Sequence, residues 1–203
     1  MLCKLCRLFA VVSCFSLIAC KDYKVHEVKD FRLYVKSDDT ELKAAINELA
    51  AQYNKDVGAK ALTVVDNKGD ANSSISFVEN LADKGGSKLG LGQWITTERE
   101  NNNGASKKIT VYHSMALEFD AANFEGKLAG MADKNSDAYK HLYHLFCHEV
   151  GHGMELNHSD DRSNVMYKSI PERYTSAINF DAYFAYIRSY LHIAAPAAKT
   201  NLI

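Results

Sequence analysis

The segment CHEVGHGMELNHSDDRSNVMY, at residues 147–167 of this 203-residue chain, places the tightest constraint on its fold. His148 and His152 are four residues apart, so on an α-helix they lie on one face, one turn apart, and can hold one metal ion. Glu149 lies about 60° from His152 around such a helix, so its carboxylate can reach a metal-bound water without becoming a ligand. The segment therefore predicts a metal-binding helix.

A third histidine completes the candidate site. His158 follows His152 by six residues, which is too far for the same helical face, so the helix must end between them, and Gly153 supplies a break. The return would bring His158 to the open side of the metal. Because imidazoles favour zinc, and a catalytic zinc site uses three protein ligands plus water, we predict one Zn²⁺ bound by His148, His152 and His158. Glu149 is predicted to act as general base and then as general acid.

The residues after His158 extend this pattern. Together with His148, Glu149 and His152, the third histidine and Met166 resemble the metzincin zinc peptidases, and HSDDRSNVMY is closest to the matrixin (matrix metalloproteinase-like) branch. The resemblance implies an α/β (α+β) fold with a mixed five-stranded sheet, an antiparallel edge strand, an active-site helix and a small C-terminal subdomain. It also implies a zinc metalloendopeptidase that hydrolyses peptide bonds through a zinc-bound water. Met166 would then pack in a tight turn beneath the zinc without binding it.

One residue departs from the family pattern. The family has glycine three residues after the second histidine, where the helix turns sharply with positive φ, whereas this sequence has Glu155. A non-glycine residue in the left-handed conformation costs roughly 1–2 kcal/mol. Two outcomes are open: either Gly153 or Asn157 shifts the break, or the strain at Glu155 is tolerated.

A glutamate is the alternative third ligand. In another zinc-peptidase group that ligand is a glutamate on a later helix, and Glu172 is the acid nearest to such a spacing. It follows Pro171, which favours a turn or a helix start, and no aspartate lies four residues later to orient it. His158 is therefore the expected ligand.

Several neighbouring side chains have both a structural and a functional interpretation. His141 and His144 are expected on the exposed half of the helix rather than at a second metal. Cys147 is expected to be a small buried packing residue rather than a redox switch. Tyr167 and Tyr174 follow the methionine and are candidates for lining a specificity pocket, although tyrosines in such places more often pack.

Hydrophobic patterns upstream of the metal helix predict several strands and one helix. The expected strands are at residues 31–37, 60–66, 73–80, 89–97 and 107–114, with a polar loop, ERENNNGAS, between the last two. The helix follows the first strand. Its N-cap is Asp38 or Asp39, and Gly58 ends it.

Two further helices are predicted in the second half of the chain. A long helical pattern runs from about Asp137 into the metal motif. A last helix extends from Asp181 to about His192, and Asn179 is its expected cap.

The first 19 residues have the pattern of a signal peptide. Lys4 and Arg7 precede an apolar run that is too short to span a bilayer as a permanent helix. The run closes as LIAC, which resembles the lipobox of bacterial lipoproteins, where the cysteine is acylated and becomes the mature N-terminus. We therefore expect residues 1–19 to be a lipoprotein signal peptide. Lipidated Cys20 would hold the protein on a membrane of the bacterial cell envelope, the outer membrane if the cell has one.

The remaining residues are expected to form a tether and one domain. Residues 20–30 are polar and are predicted to be the tether. Residues 31–203 would form the metzincin-like catalytic domain, with an upper subdomain to about residue 153 and a lower subdomain over 154–203. Once the signal peptide is removed and Cys20 carries lipid, Cys147 is the remaining cysteine, so no internal disulfide is expected.

The composition limits the possible partners. A formal net charge of −1 does not suggest a nucleic-acid binder, which would need a basic surface. The resemblance implies a monomer that binds a protein or peptide substrate in extended form along the strand LGLGQWITT. Two alternatives stay open at this point. One is a non-catalytic peptide-binding lipoprotein on the same scaffold, and the other is a zinc hydrolase acting on peptidoglycan peptides.

The anchor is tested by replacing its cysteine. Cys20→Ser should release the domain from the membrane fraction and leave its fold intact, because about 0.8 kcal/mol of membrane affinity per buried methylene is lost with the acyl chains. Fractionation with immunoblotting measures this. A Cys20→Ser protein that stays membrane-bound would show that another anchor exists.

Overall fold

The computed structural model describes residues 24–81, 88–103, 106–171 and 178–194. Within these residues the strands are β1 (Lys24–Val28), β2 (Phe31–Lys36), β3 (Leu62–Val65), β4 (Ser73–Val78), β5 (Gly90–Asn103) and β6 (Ser106–Asp120). The helices are α1 (Thr40–Val57), α2 (Ala121–Glu125), α3 (Asp137–Gly153) and α4 (Phe180–Tyr190). The predicted order of a strand, a helix, further strands and a long metal helix is confirmed.

The chain divides into two compact units, of which the smaller comprises Met1–Val28 and Thr97–Tyr112. In this unit β1 pairs in parallel with the first part of β6, from Lys24 opposite Lys108 to Val28 opposite Tyr112. Part of the predicted tether, residues 20–30, is therefore a strand, and that prediction is corrected. The polar sequence KVHEV has no clean alternation, which is why the sequence did not indicate pairing there.

The larger unit, Lys29–Thr96 with His113–Ile203, contains most of the sheet. β2 lies between β3 and β4 and is parallel to both, and β4 is parallel to the last part of β6. The prediction of a mixed five-stranded sheet with an antiparallel edge is corrected here. The sheet has six strands, and the four pairings of defined register are all parallel. Hydrophobic alternation locates strands but carries no information on their direction.

The connection between β5 and β6 is shorter than the sequence suggested. The polar stretch ERENNNGAS was predicted to be a loop, but β5 continues to Asn103 and β6 begins at Ser106. Only residues 104–105 separate the two strands in sequence, and β5 pairs with β6. Closer to the helices, the N–H of Asp120 donates to the carbonyl of Leu89 at 2.9 Å.

α1 begins and ends at residues that the sequence indicated. The Asp39 carboxylate accepts from the N–H groups of Glu41 at 2.7 Å and Leu42 at 3.2 Å, so Asp39 rather than Asp38 is the cap. At the other end Gly58 adopts φ 81°, a left-handed conformation that glycine takes at low cost. The helix therefore starts and stops for local reasons, and packing fixes its orientation.

One hydrophobic cluster holds the sheet and the helices together. It includes buried side chains of β2, α1 and α3: Phe31, Leu33, Ile46, Leu49 and Phe146. α4, capped by Asn179 as predicted, joins this cluster through Tyr183. The Tyr183 hydroxyl donates to the carbonyl of Cys147 at 2.5 Å and lies 3.2 Å from the hydroxyl of Tyr53. These bonds fix the middle of α3, the helix that carries the metal motif.

The predicted signal peptide and Cys20 lie outside the described residues. Within the described ranges, no helix is both long enough and apolar enough to cross a bilayer. The lipid anchor and the division into upper and lower subdomains stay predictions.

Candidate metal centre

The last two turns of α3 place the motif at a cleft. His148 and Glu149 are buried, with 5% and 4% of their surface exposed, whereas His152 is half-buried. α3 ends at Gly153, as predicted, and the chain then turns back so that His158 faces the first two histidines. The structure therefore brings the four predicted site residues together.

The three histidines meet through the same ring atom. The Nε2 atoms lie 3.1 Å apart between His148 and His152, 3.2 Å apart between His152 and His158, and 3.3 Å apart between His148 and His158. In the described part of the chain they form the one group of potential metal ligands of this kind. Tetrahedral zinc with Zn–N bonds of about 2.0–2.1 Å separates its ligand nitrogens by about 3.3–3.4 Å. The donor set and its spacing fit Zn²⁺.

Backbone carbonyls orient two of the rings. The Nδ1 of His148 lies 2.9 Å from the carbonyl of Val165, and the Nδ1 of His152 lies 2.8 Å from the carbonyl of Leu156. A carbonyl only accepts, so each Nδ1 carries the proton and each Nε2 presents its lone pair. This is the tautomer that a metal ligand requires.

Burial keeps these rings neutral. It lowers the pKa of His148 to about 3 and also lowers that of His152, while the hydrogen bonds to Val165 and Leu156 act in the opposite direction. Neighbouring histidines lower both values further. Because metal binding needs deprotonated imidazole, the apolar surroundings favour loading near neutral pH.

Glu149 is buried between α3 and the start of β5. Burial raises the pKa of its carboxyl group to about 8, and a hydrogen bond from the Gly92 backbone opposes that rise. Its Oε2 has no hydrogen-bond partner among the described residues. An unpartnered buried carboxylate oxygen is costly, so a hydrogen bond from a water or a substrate group would stabilise it.

Gly90 and Gly92 allow β5 to approach the helix this closely, and sequence reasoning did not single them out. A Cβ atom at Gly92 would lie 2.1 Å from the carbonyl oxygen of Glu149, and one at Gly90 would lie 2.4 Å from its Oε1. The alternating glycines of LGLG were the signal, because glycine inside a strand often marks close backbone approach.

Met166 packs against α3, the helix that carries His148 and His152. It is 3% exposed, and a Cβ atom at Gly151 of α3 would lie 2.5 Å from its sulfur. The turn that carries it is closed by the Tyr167 N–H, which donates to the carbonyl of Asn164 at 2.9 Å. The same turn supplies the Val165 carbonyl that orients His148.

The chain turns at Glu155, which adopts φ 68°. Gly153 remains in the helix, and among the described residues Asn157 is not one of those with positive φ. The strain is therefore tolerated at the family's glycine position rather than moved. The N–H of Leu156 closes the turn by donating to the carbonyl of Gly151 at 2.9 Å.

The expectation for His141 and His144 is wrong. Both have none of their surface exposed. His144 Nε2 lies 3.0 Å from the carbonyl of Val165, and His141 Nδ1 lies 3.1 Å from the carbonyl of Pro171. The chain after the third histidine covers this half of α3, which the helical pattern alone could not show. Cys147 is buried and free, as predicted.

A cleft of about 570 Å³ opens over the three histidines. The start of β5 and the stretch after the methionine turn form two of its walls, with Leu89, Leu91, Lys168, Ser169 and Ile170 among the lining residues. Tyr167, predicted as a pocket residue, is not among the described residues that line this cleft. Tyr174 lies outside the described residues.

The site is a metal centre of the zinc-peptidase class. It has three imidazole nitrogens at tetrahedral spacing, with a buried carboxylate and an open cleft beside them. The chain belongs to the matrixin family, whose family model, described as Peptidase_M10: Matrixin, matches residues 36–183. Membership implies zinc metallopeptidase activity in general. No curated protein matches the chain.

Removal of the third ligand tests this centre. We expect His158→Ala to weaken zinc binding severely, because even the loss of a residue that only orients a ligand typically weakens binding by about 10–100-fold. Glu172→Ala, at the alternative position outside the described residues, should keep one zinc ion. Zinc content after dialysis against a weak chelator measures both. Metal lost from the Glu172 variant and kept by the His158 variant would refute the assignment.

Proposed function

We propose that this protein is a zinc-dependent metalloendopeptidase that hydrolyses peptide bonds of proteins or peptides. One observation carries the proposal. The Nε2 atoms of three histidines converge to within 3.3 Å, and a buried, unpartnered carboxylate oxygen of Glu149 lines the same cleft. A purely structural metal site is normally closed by a fourth protein ligand, which the described residues do not provide here.

The residues divide the chemistry between them. Zn²⁺ held by the three histidines would lower the pKa of a coordinated water to about 7 and polarise the substrate carbonyl. The positive charge of bound Zn²⁺ would lower the pKa of Glu149 from its value of about 8, so that its Oε2 would take a proton from the attacking water while the Gly92 backbone holds the carboxylate from the β5 side. The same carboxyl group then gives the proton to the leaving amine. The Val165 and Leu156 carbonyls keep two imidazoles fixed throughout.

We propose that substrate binds in extended form along β5. In the described chain β5 pairs with β6 and with no other strand, so its second edge leaves backbone N–H and C=O groups available. An extended peptide can pair with such an edge. The start of β5 also borders the cleft at Gly90, so a peptide there would cross the three histidines.

The cellular setting remains the one that the sequence suggests. We propose that Cys20, in a segment that resembles a lipobox, carries lipid and holds a monomeric domain at a bacterial membrane surface. A protease in this position would act on envelope proteins or on peptides that reach the membrane.

Replacement of the general base tests the mechanism. Glu149→Gln keeps the shape of the side chain but cannot accept the proton, so cleavage of a denatured protein substrate should fall by about 10²–10⁴-fold. One zinc ion per chain should remain bound. Glu41→Gln, a change at an exposed residue of α1, is the matched control and should cleave as the wild type does.

The same assay separates the alternatives. A wild type that holds one zinc ion while Glu149→Gln cleaves equally well would refute the proposed mechanism. Peptide binding without cleavage by the zinc-loaded wild type would favour the binding module. Cleavage confined to peptidoglycan peptides would move the substrate class and keep the hydrolase.

A further inference from the structure

Glu155 holds the turn between two ligands in a conformation that its side chain opposes. It lies three residues after His152 and three before His158, and its φ of 68° is in the left-handed region. Backbone strain of this kind persists where the surrounding structure over-determines it. Contacts of the Glu155 side chain can supply this constraint.

Two side chains meet at its carboxylate. The Tyr190 hydroxyl, near the end of α4, donates to Glu155 Oε1 at 3.3 Å. The Nδ1 of His113, on β6, lies 3.4 Å from the same oxygen and 3.2 Å from the Tyr190 hydroxyl. His113 is 8% exposed, so this end of the cluster is shielded from water. We call Glu155, His113 and Tyr190 the turn clamp.

The hydrogen bonds of the turn clamp are mutually consistent. The single hydroxyl proton of Tyr190 goes to Glu155, so His113 Nδ1 is the donor in its hydrogen bond with the Tyr190 oxygen. Lys29 braces the tyrosine, because its Nζ lies 3.9 Å from the ring centroid and donates to the Tyr190 carbonyl at 3.0 Å. The clamp therefore links β6, α4 and the turn.

The turn at Glu155 determines the positions of two predicted metal ligands, His152 and His158. The residue after Glu155 is Leu156, whose carbonyl accepts from His152 Nδ1 at 2.8 Å and sets that ring. The chain continues directly to His158, whose Nε2 must come within 3.2 Å of the Nε2 of His152. A small rotation at Glu155 would move both groups.

We propose that the turn clamp is a positioning device that holds the metal-binding turn in shape where the family has glycine. Glu155, His113 and Tyr190 act through Leu156 and His158 and touch no metal or substrate themselves. This inference rests on the proposed zinc site, and its tests read metal binding directly rather than proteolysis.

The first test compares two substitutions at one position. Glu155→Ala removes the carboxylate but keeps a side chain that opposes positive φ, so the zinc dissociation constant should rise about tenfold, in the range seen when orienting groups are lost. Glu155→Gly removes the same carboxylate but adopts positive φ freely, so its zinc dissociation constant should stay within about threefold of wild type. Asn80→Gly, at another residue with positive φ (54°), is the control and should leave zinc binding unchanged.

The second test asks whether Tyr190 acts only through Glu155. Tyr190→Phe should raise the zinc dissociation constant about tenfold in the wild type. Within Glu155→Gly the same change should have no effect, because the turn no longer needs the clamp. Tyr186→Phe removes a hydroxyl one turn earlier on α4 and should be silent in both backgrounds.

A spectroscopic readout separates positioning from general stability. Protein loaded with Co²⁺ should show altered d–d absorption in Glu155→Ala and Tyr190→Phe and a wild-type spectrum in Glu155→Gly. If these variants lower only the free energy of unfolding of the metal-free protein, with spectra and zinc affinities unchanged, the clamp is merely structural and the proposal is overturned. Equal zinc affinities for the alanine and glycine variants would overturn it as well.

Failure of the clamp and failure of the proposed function give different results. Wild type that binds zinc, with no difference among the Glu155 variants, would remove the clamp and leave the peptidase proposal standing. Wild type that binds zinc with the predicted differences but cleaves no peptide would support the clamp and remove the peptidase proposal. Wild type that binds no zinc would overturn both.

Discussion

The centre depends on one constraint, which is that the chain must reverse within a few residues of the helix end and return an imidazole to the metal face. The Nε2 of His158 has to lie 3.2 Å from that of His152, although α3 ends at Gly153. The reversal takes place at Glu155 with φ 68°. Two ligands depend on this turn, one through its position in the chain and the other through the carbonyl of Leu156. The helix provides two of the donor nitrogens, and the turn after the helix determines the position of the third, on His158.

The carboxylate of Glu149 connects the helix to the sheet. Its burial raises the pKa to about 8, and the Gly92 backbone hydrogen-bonds to it from β5. β5 comes so close because Gly90 and Gly92 have no side chains, and a Cβ at Gly92 would lie 2.1 Å from the helix backbone. The strand proposed to receive substrate is thus joined to the proposed base, so the position of a peptide on β5 and the position of the proton acceptor are not independent.

The spacing of the motif residues along the chain was the basis of most of the sequence-based prediction. A helix has a fixed period, so His148 and His152 had to share a face, and the matrixin-like residues around Met166 extended the pattern to the turn that carries this methionine. The features that the sequence did not predict depend on tertiary contacts. His144 is buried because the chain around Val165, whose carbonyl hydrogen-bonds to it, covers that side of α3. His113 of β6 meets Glu155 and Tyr190 of α4 only in the folded chain. Strand direction and the pairing of β1 were likewise not encoded in local periodicity.

Zinc K-edge X-ray absorption on protein loaded with one equivalent of Zn²⁺ counts the imidazoles bound to the ion. A three-histidine centre should give a four-coordinate site with three imidazole nitrogens and one further oxygen at about 2.0–2.2 Å, with the multiple-scattering pattern of three histidines. A sulfur scatterer at about 2.3 Å, or a best fit with no more than two imidazoles, would contradict it. Three imidazoles is the number that His148, His152 and His158 can offer to one ion, because their Nε2 atoms lie 3.1–3.3 Å apart.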